Sequence, residues 1–67
     1  MKANLLRGVM AERGYTGKRL AYEIGMNENT FSSRMTGKSD FRTEEVDRIC
    51  SILLITDPQK KCDIFLT

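Results

Sequence analysis

The stretch Thr16-Gly17-Lys18-Arg19-Leu20-Ala21-Tyr22-Glu23-Ile24-Gly25-Met26-Asn27-Glu28-Asn29-Thr30-Phe31-Ser32-Ser33-Arg34-Met35-Thr36-Gly37 decides the fold. Its apolar residues recur at spacings of three and four, the period of a helix face. Thr16 is a good N-cap for a helix that presents Leu20, Ala21 and Ile24 and stops at Gly25. Asn27 caps the next one, with Met26 and Phe31 at the two positions of a hydrophobic staple. Met35 continues the apolar side one turn later, and Gly37 ends it. The spacing therefore predicts two short helices joined at an angle.

Working outward, Leu6, Val9 and Met10, with the stem of Arg13, mark a first helix that opens near Asn4 as N-cap. It closes at Gly14 with Tyr15 behind it. After the central pair, Thr43 is the expected cap of a fourth helix whose first turn holds Glu44 and Glu45. Val46, Ile49, Cys50 and Leu53 stand at i, i+3, i+4 and i+7, a core-facing stripe. Asp57-Pro58 predicts a short fifth helix running to about Asp63. No segment alternates with a period of two. The expected architecture is all-α, a compact bundle of four to five short helices forming one domain over 1–67.

Composition narrows what such a domain does. Sixty-seven residues make one small core without a substrate pocket. With no histidine, the commonest general base and metal ligand are missing. Cys50 and Cys62 are too few for a disulfide framework or a four-thiolate metal site. Cys50 reads as a small core hydrophobe, Cys62 as a partly exposed tail residue, and Met10, Met26 and Met35 as core fillers. Tyr15 and Tyr22 read as packing residues. The longest apolar run, 52–55, is too short for a membrane span or a signal peptide, so the protein is expected to be cytoplasmic. No metal, cofactor or catalytic step is expected. The formal charge is +2, and all of it lies between Thr16 and Thr43, where five bases face three acids. A local cationic excess suits a polyanion.

The residues from Thr16 to Ser33, with Gly37-Lys38 closing the next helix, resemble the helix-turn-helix of the lambda-repressor/Cro-like family, also called the xenobiotic-response-element type. The matching features are the Thr16 cap, Leu20-Ala21, Ile24-Gly25, the Asn27 cap and Phe31. The resemblance covers about residues 4 to 57 and puts the helix-turn-helix at about 16–36. Three departures from the family's pattern stand out. Gly17 stands where a Gln side chain often meets a phosphate. Met10 and Met35 replace an Arg–Glu pair, an exchange of ion pair for apolar contact that is often neutral or stabilising. Leu54 replaces the glycine that commonly ends the fourth helix, at about 1 kcal/mol if it must turn left-handed.

On a helical wheel of about 100° per residue, Phe31 and Met35 fix the buried side of the third helix. Asn29, Ser32, Ser33 and Thr36 then share the opposite side, and all are short, uncharged and able to hydrogen-bond. Such a face suits a major groove better than open water. Asn29 is the sharpest candidate, since its amide matches adenine N6 and N7. The resemblance likewise places Glu28, Asn29 and Ser33 at positions that often meet base edges. Glu28 has two readings, acceptor from a cytosine amine or favourable charge at the helix N-terminus. Candidate phosphate contacts are Thr16, Gly17, Lys18 and Arg19 at the start of the second helix, Arg34 pointing away from the core, and Lys38 and Arg42 in the following loop.

The expectation is a small Cro-like regulator or repressor that binds double-stranded operator DNA, with a protein-interaction module of the antitoxin-like kind as the alternative. One recognition helix reads few base pairs, so a homodimer on a pseudo-palindromic site is expected. Its contact patch is expected at Ile55, Ile64, Phe65 and Leu66. At this length no second domain is expected, and hence no control by proteolysis or a small effector.

Overall fold

The computed structural model describes residues 1–66. Its five helices are α1 (Ala3–Glu12), α2 (Gly17–Glu23), α3 (Glu28–Met35), α4 (Thr43–Leu53) and α5 (Pro58–Phe65), and no strand occurs among the described residues. The fold is all-α, as the spacing predicts.

One rule ends four of the five helices. The N–H groups of Tyr15, Met26, Lys38 and Ile55 reach back to the carbonyls of Met10, Ala21, Ser33 and Cys50 at 2.8–2.9 Å. That long backward bond needs a left-handed residue just before the donor. Gly25 supplies it between α2 and α3 with φ +74°, which a side chain would strain. At the end of α4 the same place belongs to Leu54, with φ 58° and ψ 40°. The side chain of Leu54 is also 62% exposed, so little burial offsets the strain. Leu54→Gly is expected to stabilise the protomer by about 1 kcal/mol, read as a higher urea midpoint at unchanged m-value.

Two caps differ from the sequence reading. α1 begins two residues earlier than an Asn4 cap allows, with Lys2 at the cap position. The Lys2 N–H donates to the Ile64 carbonyl of α5 at 2.7 Å, a tertiary anchor that replaces a side-chain cap. At α4 the cap residue is Arg42 rather than Thr43, because the Glu45 carboxylate accepts from the Arg42 N–H at 2.8 Å. Thr16, Asn27 and Asp57 cap α2, α3 and α5 through their side chains as expected. α5 extends to Phe65, beyond the expected Asp63.

The core joins one face of every helix, centred on Leu6, Leu20, Ile49, Leu53 and Ile64. Cys50 belongs to it, and burial pushes its thiol pKa up, which keeps it protonated and inert. Cys62 is exposed. Two carbonyl caps add cross-links: Arg13 Nε donates to the Leu53 carbonyl at 2.9 Å, and Arg48 Nη1 to that of Ile24 at 3.2 Å.

The expected dimer patch is largely core. Ile64 is fully buried and Ile55 is 8% exposed, so neither can face a second copy. Phe65 is half-buried and meets Phe41 edge-on at 6.1 Å, and Phe41 in turn meets Phe31 at 5.9 Å. Only Leu66, 74% exposed, remains an apolar surface residue of that set. A chain this short has a small core, and folding α5 back onto α1 uses Ile64 to complete it. Tyr22 departs the other way: expected in the packing, it is 83% exposed.

Candidate nucleic-acid interface

The α2–turn–α3 unit follows from local chemistry. The Thr16 hydroxyl accepts from the Arg19 N–H at 3.1 Å, and the Asn27 side chain accepts from the Asn29 N–H at 2.8 Å, so each helix start is locked. Phe31 and Met35 bury the inner side of α3. That leaves Glu28, Asn29, Ser32 and Thr36 exposed together on α3 and its end. The Asn29 amide has no partner within the protein among the described residues, so both its donor and its acceptor are available.

Ser33 and Thr36 are less open than the wheel implies. Ser33 is half-buried, and its carbonyl accepts from the N–H groups of Lys38 and Ser39. Thr36 lies just past the last helical residue, and its hydroxyl donates to the Ser32 carbonyl at 3.0 Å. α3 ends one residue short of the expected boundary, which turns that side chain back onto its own helix.

The candidate phosphate contacts divide into free and engaged cations. Lys18, Lys38 and the Arg42 side chain are exposed and have no ion-pair or hydrogen-bond partner among the described residues. Lys38 is informative in a second way. It occupies the position after a left-handed residue that Tyr15, Met26 and Ile55 fill elsewhere with core-packing side chains. Arg19 is partly engaged, 3.3 Å from Glu23 and 4.5 Å from the centre of the Tyr15 ring. The Glu23 carboxylate accepts from the Tyr15 hydroxyl and pushes that phenol's pKa up.

Arg34 does not point away from the core. Its side chain is only 13% exposed and runs to α4, where Nη2 donates to Glu45 Oε2 at 3.3 Å. Its Nε sits 2.9 Å from Oε1 as an ion-pair contact whose N–H is not aimed for a hydrogen bond. Nη1 donates to the Ser39 hydroxyl at 3.1 Å. Arg34 thus ties α3 to α4 and to the 37–42 loop that carries Lys38 and Arg42. The sequence hides this pairing, because eleven residues separate the partners. Burial pushes the Glu45 carboxyl up, but the Arg42 N–H and the Arg34 guanidinium outweigh it and hold the pKa below the usual 4.5. A depressed carboxyl contributes stability that is fully present above about pH 4.5 and is lost as pH falls through the lower folded value. Thermal melts from pH 6 to pH 2.5 are expected to show a smaller acid-induced loss in Glu45→Gln than in the wild type. Equal losses in the two proteins would show that this pair contributes nothing to the acid response.

A groove of about 380 Å³ runs between α1, the start of α2 and α3. It brings Gly17, Lys18, Glu28 and Ser32 together, with Arg7 of α1 beside them. Arg7 was not among the residues singled out from the sequence. Its only signal there is its place on α1, three residues before the core residue Met10. Gly17 keeps the groove open, and a Cβ there would meet the Phe31 ring at an ordinary 3.5 Å.

The α2–α3 unit is thus a capped helix pair with a polar outer face on its second helix and, beside it, cations unpaired among the described residues. The sequence pattern of the Cro/C1-type HTH DNA-binding domain matches residues 5–59. This chain belongs to that family. No curated protein and no solved structure matches it significantly. As a Cro/C1-type domain it binds DNA, and α2 and α3 lie wholly within the matched span. The Cro/C1-type assignment accounts for the core as well, since α1 and α4 are largely included and α5 enters the match only at its first residues. No helix of the described residues is long and apolar enough to cross a membrane. No group of three or more potential metal ligands occurs among them.

Proposed function

We propose that the protein is a sequence-specific transcriptional regulator, acting as a small repressor that lays α3 in the major groove of an operator. The observation that carries this reading is the outer face of α3: Asn29 and Ser32 are exposed and uncharged, and free cations appear only at its flanks, at Lys18, Lys38 and Arg42. Short polar groups reach base edges, and flanking cations set the register on the backbone. Glu28 and Asn29 at the start of α3, then Ser32 one turn on, are the proposed base readers. Thr36 and the half-buried Ser33 are at its margin. Thr16 and Gly17 supply the α2 start. Arg34 has no part in phosphate contact, since its charge is already spent on Glu45.

One α3 spans few base pairs, so the proposed unit on DNA is a homodimer on a pseudo-palindrome with half-sites about 34 Å apart. With Ile55 and Ile64 committed to the core, its surface is proposed at Leu66 and at Leu54, the strained and exposed leucine of the α4–α5 connection. Leu54→Gly, which relieves strain in the protomer, is then expected to weaken the dimer, the two effects having opposite sign. Sedimentation of the variant on operator DNA indistinguishable from wild type would remove Leu54 from the interface.

In-vitro selection of random duplex DNA at near-physiological salt tests the whole reading. The expected result is a two-fold motif with half-sites one turn apart. Weak, salt-sensitive binding without any enriched sequence would overturn it and favour a protein partner as the physiological ligand.

A further inference from the structure

Most of this chain's arginines are tethers. Arg13 and Arg48 cap helix carbonyls, Arg19 pairs with Glu23, and Arg34 pairs with Glu45. Arg7 and Arg42 keep free guanidinium groups among the described residues. Arg42 flanks α3 from the 37–42 loop. Arg7 belongs to a helix outside the α2–α3 pair, yet it lines the same groove as Lys18, Glu28 and Ser32.

The geometry points to a further DNA contact: we infer that Arg7 and Lys18 together bind one backbone phosphate of the duplex at the mouth of this groove. The inference rests on the reading of α3 as the DNA-facing helix. Three observations support it. The groove opens onto α3 beside Ser32, so a duplex lying along the outer face of α3 passes directly over it. Two exposed cations from two different helices line it, and neither is in an ion pair among the described residues. Gly17 lines the same groove and adds no side chain to it. A guanidinium also meets phosphate oxygens in pairs, which a lysine cannot do. Glu28 is the one acid on the groove, against the two cations Arg7 and Lys18. α1 thus becomes a third element of the interface, fixing how far the domain rolls about α3.

The test is the salt dependence of binding, by fluorescence anisotropy, to a selection-enriched duplex and to a scrambled one. Wild type is compared with Arg7→Gln, Arg7→Lys and Lys60→Gln. Lys60 is an exposed cation in a separate groove beside Leu5, so it controls for net charge. Arg7→Gln is expected to lower the magnitude of the log–log salt slope by about one and to weaken both duplexes equally. Arg7→Lys is expected to keep the slope, and Lys60→Gln to match wild type. An Arg7→Gln slope equal to wild type, or one lowered no more than that of Lys60→Gln, overturns the Arg7 contact while leaving the DNA reading intact. Absence of any salt-dependent binding by the wild type overturns both.

Discussion

Ile64→Ala is expected to lower the melting temperature steeply, and by the same amount at any protein concentration. The side chain is fully buried, and its own carbonyl receives the Lys2 N–H at 2.7 Å, so it holds α5 and the chain's start against α1. Truncating a buried isoleucine to alanine costs about 2–5 kcal/mol, the lost transfer energy plus the cavity left behind. A 67-residue domain has only about 3–10 kcal/mol in total. Circular dichroism melts at two protein concentrations separate this from a role at a dimer surface. A core residue lowers the melting temperature equally at both concentrations. A dimer residue would leave a folded monomer and show its effect only where the wild type associates. An Ile64→Ala monomer as stable as the wild type would mean that α5 does not seat on α1 as described.

Asn29→Ala is expected to lose discrimination at one base pair while keeping the salt slope. The side chain is exposed at the second position of α3 and has no internal partner, so its removal leaves the fold intact. A bidentate amide–adenine pair is worth about 1–3 kcal/mol against the wrong base. Repeating the selection with the variant should therefore flatten one position of each half-site and leave the others unchanged. Weakening that is uniform across sequences, with a reduced slope, would make Asn29 a backbone contact instead. Read beside Arg7→Gln, the two variants separate the residues that specify from those that position.

The elements most legible in the sequence were those whose causes are local. Thr16, Asn27 and Asp57 cap helices through bonds spanning two or three residues, and the glycines at 14, 25 and 37 take positive φ because each follows a helix end. The strain at Leu54 was legible through the family resemblance, which puts a glycine at that helix end. The face of α3 followed from the period alone as far as Asn29 and Ser32. It was less accurate at Ser33 and Thr36, where the helix end and the next loop intervene.

What the sequence could not show were the pairings of distant residues. Arg34 carries the same charge whether it faces a phosphate or Glu45, and only the approach of α3 to α4 decides which. Arg7 lies on α1, and nothing in its neighbourhood along the chain places it beside Ser32. Ile55 and Ile64 are apolar in either role, as core or as contact patch, and the docking of α5 on α1 assigns them. The sequence by itself determined the helices, their ends and the polar side of α3, because hydrogen bonds and periodicity act within a turn or two. Tertiary structure alone decided which cations are free for a polyanion and which apolar residues are left for a partner. A charge or a methyl group is available to a ligand only when no other part of the fold has already taken it.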